Sequence, residues 1–295
     1  MPLRLACPAM GTRFELVLAG QREAHLRAAG EAALAEVRTL HSAWSAFSRD
    51  SLVSHLAREA GGGWTRVDPE TFDLLERCVA LHAASGGAFH PLLAPLLAAA
   101  GLRGAASSPP SAASLEVSGL QLDAERGAVR LATPGMGLDL GAIAKGAALD
   151  AAAAVLEEEE VTCALLHGGT STVLALDPPP DRESWRVAVG SSPGAPVLDL
   201  TRSAMSVSAA RSRVGTSEAG SQGHILDPLT GRSAAGPQAA VVTGARAADC
   251  DGWSTALVAG ASPTLLPNAL EAILQDSEGH WHPAQTAAAR QTIHS

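Results

Sequence analysis

The chain has 295 residues, of which 46% are hydrophobic and 17% charged, so it has enough apolar content to bury a large core. Its formal net charge is −9 and it has no basic run, which argues against a surface for nucleic acid or for an anionic membrane. Tyrosine is absent and aromatic residues make up 3%, so we expect a core of Leu, Val and Ala.

The four cysteines (Cys7, Cys78, Cys163 and Cys250) are scattered and form no CxxC pair. Their spacing fits neither a zinc site nor a disulfide framework, so we expect buried thiols in a reducing compartment. No segment has the apolar length of a signal sequence or of a transmembrane helix. The sequence therefore predicts a cytoplasmic protein with no membrane anchor.

The first part of the chain shows strand and helix patterns in turn. TRFELVL, at residues 12–18, alternates like a half-buried strand, and residues 21–45 have the spacing of one long helix. A short helix ending near Arg58 and a helix over residues 69–85 are predicted next. The Ser/Pro/Ala-rich segment near 104–114 is predicted to be a flexible loop within a single domain spanning residues 1–295.

The second part of the chain mixes strands and helices without strict alternation. Residues 115–133 predict short strands, and residues 143–160 predict a helix. Strands are then predicted at ALLHGG, STVLAL, WRVAVG, VLDL and VVTG, before a helix from Asp251 to about Gly260. This order favours an α+β fold over a doubly wound parallel sheet.

Lys145 is the single lysine of the chain and lies in LDLGAIAKGAALD, at residues 138–150. Gly141 and Gly146 flank it at the start of a predicted helix, where free backbone N–H groups and the positive end of the helix dipole attract anions. A lysine there suits phosphate oxygens. The Walker A pattern is absent, so a solvated surface lysine stays an alternative.

Two further motifs combine a polar residue with a turn. Gly168 and Gly169 follow a buried strand, an arrangement typical of close backbone approach to a ligand and also of a plain tight turn. His224, in GHILDPLTG, has the chemistry of an acid or base near neutral pH, and also that of a structural histidine.

The segment DCDGWSTAL, at residues 249–257, suggests a metal site. On a helix, Asp251 and Thr255 stand at i and i+4 on one face, about 6 Å apart along the axis. A carboxylate and a hydroxyl are oxygen ligands that suit Mg²⁺, and Mn²⁺ or Ca²⁺ as well. The alternative is that Asp249 or Asp251 caps the helix.

Taken in order, these motifs resemble those of the ApbE-like family, the FAD:protein FMN transferases. The resemblance covers about residues 9–260, and it rests on MGT, SAFSRDS, GAFHPLLAPL, LDLGAIAKGAALD, ALLHGG, SVSAA, GHILDPLTG and DGWSTAL. It implies an α+β, T-fold-related fold with mixed and antiparallel sheets and flanking helices around a flavin-binding cleft.

The resemblance also implies an activity. FAD is the substrate, and its FMN moiety is transferred to a Thr or Ser hydroxyl of an acceptor protein in a Mg²⁺-dependent reaction that releases AMP. A FAD pyrophosphatase that gives FMN and AMP, and a non-catalytic FAD-binding protein, are the alternatives.

Matched position by position, the resemblance assigns the metal to Asp251, Thr255 and the backbone carbonyl of Ala144. The positions that it assigns to the flavin dinucleotide are Met10, Gly11, Thr12, Lys145, Gly168, Gly169, Ser208 and His224. The catalytic roles fall to His224 and Lys145.

This sequence departs from the family pattern mainly on the flavin side. His90 and Thr170 stand where the family usually has aspartates, and Ala147 stands where it has an aromatic residue. Ala209 replaces the glycine of the family's SG pair, and the tyrosine often found near it is absent. The sequence therefore supports metal binding and pyrophosphate chemistry more strongly than it supports recognition of the flavin ring.

Overall fold

The computed structural model describes residues 2–102, 111–190, 194–210, 225–228 and 230–285. The α-helices in these ranges are α1 (Glu23–Trp44), α2 (Leu52–Arg58), α3 (Pro69–Ala84), α4 (Ala94–Ala99), α5 (Ala144–Glu158) and α6 (Ala247–Ala259). The strands are β1 (Leu3–Ala9), β2 (Thr12–Leu18), β3 (Thr65–Arg66), β4 (Leu120–Asp123), β5 (Ala128–Leu131), β6 (Ala164–Gly168), β7 (Thr172–Ala175), β8 (Trp185–Ala188), β9 (Val197–Leu200), β10 (Ser203–Ala209), β11 (Ala239–Gly244), β12 (Glu271–Gln275) and β13 (Trp281–Pro283).

An eight-stranded antiparallel sheet forms the centre, in the order β1-β2-β6-β7-β10-β11-β12-β13. The alternation in TRFELVL sets its register, because Phe14, Leu16 and Leu18 all point into the core and are fully buried. Separate three-stranded (β3-β5-β4) and two-stranded (β8-β9) sheets accompany it.

Helices cover one face of the central sheet. α5 packs between α1 and α6 and contacts β6 and β7, while α6 lies on β10 and β11. On the other face a smaller apolar cluster joins the sheet to the β8-β9 hairpin, with Val17, Val173 and Met205 packing near Val187 and Leu200. This layering places the N-terminal turns of α5 and α6 next to β7 and β10.

The α+β prediction is confirmed, and α1, α2, α3 and α5 lie within a few residues of their predicted bounds. The elements that were not predicted are α4, in the proline-containing stretch after Phe89, and the strands β1, β3, β10 and β12–β13. Residues 104–110 of the predicted loop lie outside the described residues, and a short 3-10 helix follows at Ala112–Leu115.

Two smaller expectations need correction. α6 begins at Ala247, not at Asp251, because a carboxylate from another helix caps its first turn. Cys7, Cys78 and Cys250 are buried free thiols, whereas Cys163 is half-buried at the edge of β6.

Within the described ranges no helix is both long enough and apolar enough to span a bilayer.

Candidate active site

Asp251 lies at the centre of a polar cluster between α5, α6 and the sheet. Its side chain is 2% exposed, and both carboxylate oxygens accept hydrogen bonds. The Lys145 ammonium lies 3.2 Å from each oxygen. Oδ2 also accepts the N–H of Gly146 at 3.2 Å, and Oδ1 accepts the hydroxyls of Thr172 at 3.3 Å and Ser206 at 3.0 Å. A buried carboxylate needs such compensation, because an unpaired charge in the core is strongly destabilising.

A chain of hydroxyl groups extends from Asp251 along α6 and β10. The Thr255 hydroxyl donates to the backbone carbonyl of Asp251 at 3.2 Å and lies 3.1 Å from the Ser208 hydroxyl. Ser254 lies 2.9 Å from Ser208 and also reaches the Asp251 carbonyl. The sequence spacing that put Asp251 and Thr255 on one helical face therefore also places Ser208 beside them.

The exposure of the cluster is graded. Thr172, Ser206 and Ser254 are completely buried, so they form its floor. Lys145, with 21% of its side chain exposed, and the half-buried Ser208 and Thr255 form its rim. A ligand approaching from solvent would meet the ammonium and two hydroxyls before it reached the carboxylate.

The close crossing of α5 and α6 holds this arrangement. Gly146 faces the backbone of α6, and a Cβ added there would lie 2.2 Å from the carbonyl oxygen of Ala247. One turn along, the Asp150 carboxylate accepts the N–H groups of Ala247 at 2.8 Å and Ala248 at 3.0 Å. Asp150 thus caps α6 from a neighbouring helix. Burial raises the pKa of Asp150, and these two N–H groups counteract that rise.

The oxygen atoms of this cluster suit a small divalent cation. Lys145 places a positive charge against the Asp251 carboxylate and 3.4 Å from the Gly141 carbonyl, so the cluster already accommodates a cationic group among oxygens. Carboxylate, hydroxyl and carbonyl oxygens are the ligands that Mg²⁺ takes. Ala144, whose carbonyl is a predicted ligand, is the first residue of α5 and precedes Lys145 directly.

Two N–H groups at the start of α5, where the sequence predicts contact with an anion, have partners within the chain. The N–H of Gly146 donates to the Asp251 carboxylate, which is an anionic group of the chain itself, and the N–H of Ala144 donates to the Leu140 carbonyl. Similarly, Asp251 does not cap α6, and Asp249 pairs with Arg77 at 2.7 Å.

The predicted MGT and HGG segments lie side by side at one end of the sheet. Met10 and Gly11 form the two-residue β1–β2 turn, with φ of 50° and 72°. Gly169 approaches Thr12 so closely that a Cβ would lie 2.3 Å from the threonine hydroxyl oxygen. Gly168 pairs in register with Thr172, whose hydroxyl contacts Asp251. The β6–β7 hairpin therefore connects this turn to the Asp251 cluster.

The predicted catalytic His224 lies outside the described residues. The turn that follows it in sequence is described except for residue 229. Asp227 accepts the Thr230 hydroxyl at 2.8 Å and the N–H of Gly231 at 2.9 Å, as the composition DPLTG predicts.

Two hydrogen bonds to the backbone hold the ring of His90. Its Nε2 lies 3.0 Å from the Leu115 carbonyl and its Nδ1 accepts the N–H of Leu92 at 3.2 Å, which requires a neutral ring protonated on Nε2. Burial, and then the nearby His82, lower the pKa of His90 to about 4. The other substituted positions differ in exposure: Thr170 is exposed in the β6–β7 turn, and Ala147 is half-buried on α5.

Sequence reasoning missed Thr172, Ser206 and Asp150 as partners in the site. Ser206 had a usable signal, since it stands two residues before Ser208 and alternate strand residues share a face. Thr172 and Asp150 had none, because their roles depend on how β7 and α5 pack against α6.

The sequence of the chain is similar to those of two known proteins. The chain is 33% identical over 189 residues to the FAD:protein FMN transferase of Rhodobacter capsulatus, covering 61% of this chain and 35% of that protein. It is 31% identical over 229 residues to the FAD:protein FMN transferase of Treponema pallidum (strain Nichols), covering 68% of this chain and 63% of that protein. The chain thus spans about a third of the first relative and less than two thirds of the second.

Solved structures share the fold. The ApbE protein of Thermotoga maritima superposes with a TM-score of 0.82 at 23% identity, over 97% of each chain. The flavin transferase ApbE of Vibrio cholerae gives a TM-score of 0.82 at 18% identity, over 99% of each chain. The profile that describes the ApbE family matches residues 10–272, which is most of the sequence. The chain therefore belongs to the ApbE family.

Proposed function

We propose that this protein is an FAD:protein FMN transferase, which transfers the FMN moiety of FAD to a Thr or Ser hydroxyl of an acceptor protein and releases AMP in a Mg²⁺-dependent reaction. Membership of the ApbE family and two relatives that bear this name support the proposal. The observation that carries it is the buried Asp251 carboxylate beneath a rim of Lys145, Ser208 and Thr255.

The charges of the cluster support the proposal of a bound cation. The pyrophosphate of FAD is anionic, so a buried carboxylate alone would repel it. Lys145 offsets the charge of Asp251 and stands on the side open to solvent. Asp251, Thr255 and the Ala144 carbonyl would hold Mg²⁺. When bound, this ion neutralises charge that develops on the pyrophosphate.

In the proposed reaction one bond forms and one breaks. The acceptor hydroxyl oxygen bonds to the phosphorus of the FMN half, and the bond from that phosphorus to the bridging oxygen breaks. AMP leaves with the bridging oxygen. His224 takes the hydroxyl proton, a role that rests on its motif and on its ability to titrate near neutral pH. Lys145 stabilises negative charge on the phosphates.

The experiment measures what becomes of the AMP half and of the FMN half of FAD. We would incubate the purified full chain with FAD, Mg²⁺ and a candidate acceptor protein, and measure AMP release together with the mass of the acceptor. We expect AMP to appear and the acceptor to gain one FMN moiety. Asp251→Asn should abolish both signals, because it removes the negative charge that faces the cation.

Asp249→Asn is the matched control, because Asp249 lies on the same helix two residues away and pairs with Arg77 near the surface. This control should keep its activity. AMP and free FMN formed without an acceptor, at a rate unchanged when one is added, would indicate a pyrophosphatase. FAD that binds stoichiometrically and is never cleaved would indicate a binding protein, and it would refute the catalytic proposal.

A further inference from the structure

A second group of ligand-type side chains lies C-terminal to α6, in the hairpin that joins β12 to β13. Asp276, His280 and His282 each offer an oxygen or nitrogen atom, and these atoms all lie within 4.8 Å of one another. In the part of the chain that the structure describes, no other trio of His, Cys, Asp or Glu side chains meets this condition. Neither the flavin motifs nor the Asp251 cluster includes these residues.

The backbone of the hairpin holds the carboxylate in place. Asp276 Oδ1 accepts the N–H groups of Glu278 and His280, both at 2.9 Å. The N–H of Asp276 in turn donates to the His280 carbonyl at 3.0 Å, and Gly279 takes a positive φ of 92° to close the turn. These bonds leave Oδ2 directed at the two imidazole rings.

Both rings converge on that one oxygen. His282 Nε2 lies 2.9 Å from Asp276 Oδ2, and His280 Nδ1 lies 3.7 Å from it. His280 directly precedes β13 and His282 lies within it, and residues at i and i+2 of an extended segment point to the same side. Their ring centroids are 6.3 Å apart. Because backbone N–H groups hold the Asp276 carboxylate, this ligand needs little ordering before a cation binds.

The group is open to solvent and has negative character. About two thirds of each histidine side chain and 39% of the Asp276 side chain are exposed. Glu278 adds a second carboxylate, 3.5 Å from His280 Nδ1. A small cation therefore has direct access and is attracted electrostatically.

We propose that Asp276, His280 and His282 form a binding site for a divalent transition metal of the zinc class, separate from the site at Asp251. Imidazole nitrogen combined with one carboxylate oxygen suits Zn²⁺, and three protein ligands leave a coordination position for water. Mg²⁺ prefers oxygen ligands throughout, so the two sites differ in the metal they select. Metal bound here clamps the hairpin at the β13 edge of the central sheet.

Calorimetric titration of the metal-free full chain with Zn²⁺, in the presence of excess Mg²⁺, tests the proposal. We expect one Zn²⁺ to bind per chain. His282→Ala and Asp276→Asn should each weaken binding by at least about tenfold, since loss even of an outer partner of a metal ligand typically costs that much. His55→Ala, an exposed histidine on α2, is the matched control and should bind like the wild type.

Titration with Co²⁺ gives a second readout, because its visible absorption bands report coordination by protein nitrogen and oxygen. We expect those bands in the wild type and in His55→Ala, and their loss in His282→Ala. Equal affinity in all variants, or the absence of stoichiometric binding and of the Co²⁺ bands, would overturn the proposal. None of these readouts depends on flavin transfer, so failure here leaves the proposed transferase activity untouched.

Discussion

The ammonium of Lys145 lies 3.2 Å from both carboxylate oxygens of Asp251, a residue 106 positions further along the chain. The same nitrogen lies 3.4 Å from the Gly141 carbonyl. An ammonium is a compact point charge that can contact three oxygens from one position, whereas a guanidinium is planar and longer. This contact geometry accounts for a lysine in a chain whose other cationic side chains, His apart, are all arginines.

We expect Lys145→Arg to reduce AMP release from FAD by about 100-fold, the usual cost of losing one group that stabilises developing charge. The planar side chain would not reproduce the contacts with Asp251 and Gly141 together. Arg186→Lys, on a residue that is 72% exposed, is the control and should change the rate little. If the two substitutions changed the rate of AMP release equally, Lys145 would have no special role.

Gly146→Ala should destabilise the protein. A Cβ at this position would lie 2.2 Å from the Ala247 carbonyl oxygen, a backbone atom that moves only if α6 moves. We expect a loss of about 1–3 kcal/mol in unfolding free energy, which outweighs the helix propensity gained from alanine. Thermal or denaturant unfolding measures it. Gly63→Ala, where the added Cβ meets no atom within 4 Å, should show no comparable loss.

Asp150 should prove to be a capping residue for α6 although it belongs to α5. Asp150→Ala leaves the N–H groups of Ala247 and Ala248 without their side-chain acceptor, and the expected cost is about 1 kcal/mol. Asp150→Asn keeps one acceptor oxygen and should cost less. Chemical denaturation of the three proteins tests this order, and identical stabilities would contradict it.

His90 makes stability depend on pH. The pKa of His90 falls from its ordinary value of 6.5 to about 4 in the folded chain, mainly because of burial and then because of His82. Between these values the unfolded chain binds more protons than the folded one, so stability rises with pH. The contribution of His90 is complete above about pH 6.5 and is lost progressively as the pH falls towards 4.

The measurement is an NMR titration of the His90 ring, which should stay neutral down to about pH 4. In His90→Gln the drop in melting temperature between pH 7 and pH 5 should be smaller than in the wild type. A ring that titrates at its ordinary value would show that His90 is not buried in solution as it is in this structure.

The periodicity of the sequence predicts those helices and strands that depend on local residue patterns. The alternation in TRFELVL and the helical spacing of residues 21–45 are local patterns, and both elements formed where expected. The local sequence pattern predicts the start of α6 four residues late, because the cap of this helix comes from Asp150, 97 positions before Ala247. Similarly, no local pattern marks Thr172 as a partner of Asp251, since the packing of β7 against α6 brings them together.

One short stretch of α5, from Lys145 to Asp150, contacts the Asp251 carboxylate, determines how closely α6 approaches and caps its first turn. The packing and the capping of α6 therefore depend on the residues of α5. A chimera that takes α6 from a relative would have to take this part of α5 with it, or it would lose both the fit and the charge pairing.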